Sequence, residues 1–396
     1  MKAYLRDDGK KGIRNNILVV YLVECAHHVA RAIVNRSAAD NVQLIGFPGC
    51  YPNDYSLKMM KQLCTHSNVH SVLLVSLGCE SFNREELSKT IAASGREVAT
   101  LVIQKAGGTK STIEAGVAKV ATLKELAKNT PMVDMEIGEL VVATICGGSD
   151  GTSGISSNPA VGHCFDRLIE QQAICMFEET GELIGCEQIM AARAVTSELG
   201  EEIIRAVEKA ESYYTVMGYG SFAPGNAEGG ISTQEEKSLG AYAKSGDSKI
   251  SGLIKPGDQP ERSGLYLMDV VPDEDPLFGF PNINDTAEIV EMIASGAHVI
   301  LFTTGRGSVV GSAISPVIKI CANPETYKKM SGDMDINAGK VITGEGTVQS
   351  VGDEIYDLVG RVAAGEQSLS EELGHQEFVL TYKQFTEIGP ACLPRH

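Results

Sequence analysis

Four loops of this chain gather residue types that do acid–base and ligand chemistry. Cys146-Gly-Gly-Ser149-Asp150-Gly-Thr-Ser153-Gly-Ile sets a thiol, a carboxylate and hydroxyls on a glycine-rich backbone. Glycine loses the most backbone entropy on ordering, so such a loop between strand and helix lets N–H groups approach a ligand. Glu178-Glu179-Thr180-Gly181-Glu182-Leu-Ile-Gly185-Cys186-Glu187 packs four carboxylates into ten positions. Its interleaved glycines disfavour a regular surface helix and leave ligand or acid–base work as the alternative to solvation. Phe222-Ala-Pro224-Gly225-Asn226-Ala-Glu-Gly229-Gly230 is a second glycine-rich loop, after which Thr233 and Glu236 form a capping box and start a helix carrying Lys237. A lysine in the first turn opposes the helix dipole and implies a local anion; an ordinary exposed lysine is the other reading. Thr303-Thr304-Gly305-Arg306-Gly307-Ser308, with Lys319 beyond it, suits a carboxylate, phosphate or sulfonate, because a guanidinium can grip such a group with two bonds.

Parallel strands are expected to position these loops. Ile17 to Val23, Val42 to Phe47, Ser71 to Leu77 and Val98 to Ile103 are apolar, β-branched runs. Between them lie helix-length stretches at Ala26 to Asn35, Asp54 to Thr65, Arg84 to Ala93 and Ser111 to Lys128. Ligand crevices of parallel sheets open beyond the strand carboxyl ends. There stand Glu24-Cys25, Gly49-Cys50-Tyr51, Gly78-Cys79-Glu80, and Gln104 ahead of Gly107-Gly108-Thr109. Three of these loops carry a cysteine, as ligand or as a small side chain in a tight turn. Asn129-Thr130-Pro131 marks a break. The expected architecture is α/β, with two Rossmann-like parallel-sheet domains (residues 1–131 and a catalytic 132–396) and glycine-rich loops at the strand carboxyl ends. In the second, strands are expected at Leu140 to Ile145, Ala173 to Phe177 and Val299 to Phe302, and a helix capped by Asn158 with Pro159 in its first position.

The chain has 396 residues and a formal charge of −17, which opposes binding to nucleic acid or an anionic membrane but not to a small anion held by local lysine, arginine or helix ends. It shows neither a secretory apolar run nor a membrane-length one, so a cytoplasmic location is expected. There its ten cysteines are expected as thiols or ligands rather than disulfides. CxxC, GxxxxGK[ST], GxGxxG and HExxH are absent, and the eight histidines are scattered.

Several segments together carry a family resemblance. They are Tyr4-Leu-Arg-Asp-Asp-Gly9-Lys-Lys-Gly12-Ile-Arg14-Asn15, GCE at Gly78 to Glu80, QKAGGT at Gln104 to Thr109 and CGGSDGTSGISSNP at Cys146 to Pro159. With them go ETGELIGCE at Glu179 to Glu187, PGNAEGG before EEKSLG at Glu235 to Gly240, and FTTGRGSVVG at Phe302 to Gly311. In order and over nearly the whole chain, these segments resemble the altronate/galactarate dehydratase family. The resemblance implies a lyase that eliminates water from a sugar acid to give a 2-keto-3-deoxy acid, with a divalent metal, typically Fe(II). A branch of the family, the sulfolactate sulfo-lyase large subunit, expels sulfite instead. CGGSD and GCE keep the dehydratase form, whereas Leu373 to Thr381 is similar to the sulfo-lyase tail and Gly46 to Tyr51 departs from a His-containing loop of the altronate enzymes. Fused family members carry a small β-rich domain ahead of the Tyr4 segment. The resemblance therefore implies a separate β-rich partner of roughly 100 residues, in a homo-oligomer acting on a small anionic substrate.

Elimination from a 2-hydroxy acid needs a base for the C2 proton, stabilisation of the enediolate, and an acid at the leaving oxygen. A divalent cation would supply the stabilisation. Cys146, Asp150, Glu182 and Glu187 are the expected ligands, with Cys79 and Glu80 facing them, and thiolate content favours Fe(II) or Zn(II), Mn(II) being a further alternative. Lys237 is the expected base, its pKa lowered by burial beside a cation, with Glu236 and Glu179 as further acid–base groups. Ser149, Ser153, Asn158, Asn226, Thr304, Arg306 and Lys319 are expected to bind substrate. A sulfo-lyase, or a non-catalytic subunit that holds an acid, are the alternative functions.

Overall fold

The computed structural model describes residues 1–37, 39, 41–218, 221–273 and 283–383. Its first strands, β1 (Lys2–Leu5) and β2 (Lys11–Gly12), lead into β3 (Asn16–Tyr21), β4 (Val42–Gly46), β5 (Val69–Ser76) and β6 (Glu97–Val102). The last four form a parallel sheet in the order β4-β3-β5-β6. Side chains of a strand alternate between its faces, and both faces here are apolar. Ile17 and Val19 pack with the helices Glu24–Ser37 and Thr109–Ala127; Leu18 and Val20 pack with Asp54–Cys64 and Arg84–Ala93. Each expected strand and helix of this half is present, with ends moved by two residues or fewer.

After β7 (Met132–Asp134), which pairs antiparallel with β1, the chain builds a seven-stranded sheet whose strands are all parallel. Its strands are β8 (Val141–Cys146), β9 (Ile174–Phe177), β10 (Ile250–Ile254), β11 (Gly264–Met268), β12 (Val299–Thr304), β13 (Val317–Cys321) and β14 (Ile336–Asn337). The order is β10-β11-β9-β8-β12-β13-β14. The chain leaves β8 toward β9 and later returns on its other side as β12, so the order reverses at β8, where a parallel sheet opens its crevice. On one face lie the helices Ser157–Glu170 and Val348–Ala363, joined to the sheet by Val142, Phe165, Leu301 and Ile355. On the other, the helix Asp285–Ala294 meets Asp54–Cys64 of the first half, and a single apolar cluster runs from Leu18 and Leu74 to Ile145 and Ile300. Among the described residues no helix is long and apolar enough to cross a membrane, and the nine cysteines there are free thiols.

Two helix starts differ from expectation. The helix after the Cys146 loop begins at Ser157 with Ser156 as its cap, so Asn158 lies inside the first turn and donates from Nδ2 to Gly240 O at 2.9 Å. Ser156 is fixed there by donating to Thr152 O and Ala322 O at 2.8 and 3.0 Å. The helix Gln234–Tyr242 is capped by Thr233, which accepts from Glu236 N–H, but Glu236 turns to Ser232 N–H and Oγ, so only half of the capping box forms.

Candidate active site

The carboxyl ends of β8 and β9 stand side by side, and each delivers an ionisable side chain to the same place. Cys146 closes β8 and is 3% exposed; Glu178 and Glu179 follow directly on β9. Glu179 has φ +78°, a left-handed conformation that costs a non-glycine residue about 1–2 kcal/mol. Its carboxylate accepts from Cys146 N–H at 3.2 Å and lies 3.3 Å from Cys146 Sγ. Beyond the kink, Thr180–Leu183 forms a short 3-10 turn that returns Glu182 to the thiol, with Sγ to Oε2 at 3.0 Å. The sequence reading of this acidic stretch as something other than a regular helix matches that turn.

Two lysines complete the cluster. Lys244, 1% exposed, donates to Glu179 and to Cys146 Sγ, the latter at 3.1 Å. Lys237 pairs with Glu182 at 2.6 Å and donates to Ser221 O. Three more carboxyls lie close by: Glu178 and Glu288, 1% and 2% exposed, and Asp285. Glu178 has no hydrogen-bond partner on either oxygen among the described residues.

Five carboxyls against two ammonium groups fixes the protonation pattern. Burial, and then Glu182, pushes Glu179 up to about 8, with Lys244 opposing. Burial and Glu288 raise Glu178 well above the carboxylate range, and burial with Glu182 raises Asp285 to about 6. Burial also acts on Glu182, but Lys237 and Lys244 outweigh it and hold that carboxyl below its usual value. Cys146 is pushed well up by burial and the two glutamates, and is a thiol at neutral pH. Lys237 departs from expectation: burial lowers its pKa, but Glu182 overrides burial and raises it, so the amine is an ammonium ion.

Cys146, Glu182 and Lys237 face a cleft of about 230 Å³ that is also lined by Ser149, Asp150, Ser153, Asn158 and Glu236. Asp150 is oriented by Thr152 N–H at 2.9 Å and Asn323 Nδ2 at 2.9 Å. A side chain at Gly305 would start 2.2 Å from the Asp150 carboxyl, so only glycine lets the β12 loop pass. Asn226 donates to Ser149 O at 3.3 Å and braces the same loop. Glu236 is exposed at the rim and spends its carboxylate on Ser232.

The other expected residues are placed elsewhere or are engaged by the protein. Thr304 is buried and accepts from Gly307 N–H at 3.0 Å. Arg306 bridges the two glycine-rich loops by donating to Gly225 O at 2.7 Å and pairing with Glu228 at 3.2 Å. Lys319 lies in the interior beside Val310 O and His375 Nδ1, at 3.4 and 3.1 Å. Glu187 accepts from Gly185 N–H, and Cys79 and Glu80 stand at the end of β5 in the other sheet. Among the described residues the donor groups of three within 4.8 Å are Cys146–Glu179–Glu182 and Glu178–Glu179–Glu288, so these positions and Asp150 fall outside both. Sequence reasoning did not select Lys244, Glu178, Asp285 or Glu288. Asp285 and Glu288 were visible, with Glu291, as three carboxyls in a mostly apolar helix; Lys244, in AYAKSG, carried no such signal.

The chain matches the D-galactarate/altronate dehydratase C-terminal domain family over residues 137–386 and the D-galactarate dehydratase/altronate hydrolase second-domain family over residues 3–128. It is 31% identical to (2R)-sulfolactate sulfo-lyase subunit beta of Chromohalobacter salexigens, over 96% of this chain and 96% of that one. With altronate dehydratase of Bacillus subtilis it shares 29% identity over 96% of this chain and 77% of that one. With galactarate dehydratase (L-threo-forming) of Escherichia coli the figures are 32%, 76% and 58%. The chain belongs to the D-galactarate/altronate dehydratase family and is an enzyme of the lyase class.

Proposed function

We propose that the chain dehydrates a sugar acid of the altronate or galactarate kind to a 2-keto-3-deoxy acid. The observation that carries this reading is the Lys237–Glu182 pair, 2.6 Å apart and facing the cleft. A β-elimination needs a base and an acid on neighbouring atoms, and this pair offers an ionised carboxylate beside an ammonium. Glu182 takes the C2 proton; Lys237, cationic, stabilises the developing enediolate and gives a proton to the leaving hydroxyl. Lys237 is thus an acid and not the base expected from the sequence. Glu179 and Lys244, behind Cys146, replenish protons. Ser149, Ser153 and Asn158 offer hydrogen bonds to the substrate hydroxyls.

Cys146, Glu179 and Glu182 also fit a borderline divalent ion in donor type and spacing, with Fe(II) first and Zn(II) or Mn(II) as alternatives. Holding it requires Lys244 and Lys237 to yield their carboxylates. Such an ion supplies Lewis-acid stabilisation of an enediolate. The chain works in the cytoplasm with a β-rich partner of roughly 100 residues covering the cleft, since excluded water strengthens each contact inside; the Chromohalobacter relative, named a subunit beta, supports a multi-chain assembly.

A second reading, sulfite release from a sulfolactate, is favoured by the 31% identity to the sulfo-lyase subunit over 96% of both chains. Turnover of a panel of aldonates, aldarates and sulfolactate decides. Keto-acid formation without sulfite supports the dehydratase; sulfite supports the second reading; neither, with the partner and Fe(II) supplied, refutes both.

A further inference from the structure

Cys25, Cys50 and Cys79 remain outside the site described above, and their placement follows a rule. In the first sheet Tyr21 of β3 pairs in register with Gly46 of β4 and with Val75 of β5. Each cysteine stands four residues beyond its member of that level row. The three cysteines thus stand equally far beyond three hydrogen-bonded strands, Cys25 in the first turn of the helix Glu24–Ser37 and Cys50 and Cys79 in loops. Backbone hydrogen bonds join the loops directly: Glu24 N–H to Pro48 O at 3.2 Å, Ser81 N–H to Cys50 O at 3.0 Å, and Leu22 N–H to Val75 O at 3.1 Å.

All three thiols are exposed, whereas the other six described cysteines are buried. Cysteine is among the most buried residue types, so three exposed ones beyond one sheet edge are not explained by packing. Beside Cys79, the Glu80 carboxyl is 9% exposed; its Oε2 accepts from Gly78 N–H at 2.7 Å, while its Oε1 has no hydrogen-bond partner among the described residues. An unsatisfied buried oxygen on the residue that follows Cys79 is a second sign of a missing ligand. Each strand also runs on into a helix, Glu24–Ser37, Asp54–Cys64 or Arg84–Ala93, whose amino end lies at the carboxyl edge of the sheet and favours an anionic occupant.

We propose that Cys25, Cys50 and Cys79 ligate an iron–sulfur cubane at the carboxyl edge of the four-stranded sheet, separate from the Cys146 cleft. A single tetrahedral metal ion at thiolate bond lengths draws its sulfurs to about 3.8 Å apart. These three sulfurs do not form a donor group within 4.8 Å. A cubane, which spreads its thiolates over separate irons, fits a wider triangle. Three thiolates leave one iron without a cysteine, with Glu80 adjoining it.

The test uses the full chain, purified without oxygen and supplied with sulfide and equal Fe(II) and Fe(III), the oxidation balance of a resting four-iron cubane. About four irons and four acid-labile sulfides per chain are expected, with the broad visible absorption of sulfide-bridged iron. Cys25→Ser, Cys50→Ser and Cys79→Ser, at exposed positions, should each abolish that absorption while leaving the melting transition in place, and Cys146→Ser should retain it. Iron taken up equally well without sulfide, a stoichiometric Zn(II) site, or a cluster that survives each single substitution overturns the proposal. Cluster content is read without substrate, so failure here leaves the lyase reading standing, and an inactive Lys237→Met chain with a full cluster bears on that reading alone.

Discussion

Replacing Glu179 by glutamine should stabilise this protein at pH 8, although it removes one member of a buried ion pair. The Glu179 carboxyl is raised from 4.5 to about 8, by burial first and Glu182 second. A group whose pKa is higher in the folded chain binds more protons there, so its stabilising effect is complete below about pH 4.5 and is lost as the pH rises through about 8. The loss runs at about 1.4 kcal/mol per pH unit, or ~4 kcal/mol between pH 5 and pH 8. Glutamine has no proton to lose. At pH 5 it is close to an isostere of the protonated side chain, and the two proteins should have similar stability. By pH 8 the variant should be the more stable by several kcal/mol. Urea unfolding of both at pH 5, 6, 7 and 8 and constant ionic strength reads the difference. A gap that stays constant, or moves in favour of the parent as the pH rises, refutes the assignment of a proton-holding carboxyl to Glu179.

Lys237→Met keeps much of the stem and removes the charge, so kcat should drop by about 10² or more while the chain still melts cooperatively; wild-type turnover by the variant would move the acid elsewhere. Cys146→Ser should bind Fe(II) far more weakly, serine being a poor ligand for a soft ion, and unchanged metal retention on gel filtration would remove Cys146 from the ligand set. Lys383 and Glu291 form a pair with both side chains fully buried, which Tyr55 extends with a 2.5 Å hydrogen bond. Lys383→Ala leaves that carboxyl without its cation and should cost about 3–5 kcal/mol in urea unfolding, against no change if the tail merely rests on the surface. The chain alone should turn over slowly, and a separately produced β-rich partner should restore the rate; full activity without it would count against the two-chain assembly.

The first sheet could be read almost residue by residue because three of its four strands are largely buried on both faces and all alternate with helices of ordinary length. Cys146, Glu179, Glu182 and Lys237 were all named from loop composition, and the structure does bring those four together. Partnership was less legible than place. Whether Lys237 loses or gains basicity depends on Glu182, fifty-five residues away, which a 3-10 turn rather than a helix brings to within 2.6 Å. Lys319 and Arg306 looked like anion ligands, but the first is a fully buried residue of β13 and the second is spent on loop-to-loop contacts. Asn158 failed as a cap because Ser156, two residues earlier, finds carbonyl acceptors on two sides. Each miss concerns a long-range contact that local propensity does not encode.

The reversal of strand order at β8 also constrains how the protein is made. β8 is complete at residue 146, but its neighbour β12 begins at residue 299, with β9, β10 and β11 in between. A ribosome adding 5–20 residues per second leaves that edge of Val141–Cys146 without its strand for roughly 8–30 s. The exposed run VVATIC is short, apolar and β-branched, the composition that recruits strands from other chains. Soluble yield should therefore depend on how quickly residues 147–304 follow, so slowing translation inside that window should send nascent chains into aggregates while the same delay placed after residue 321, once β13 is made, should not.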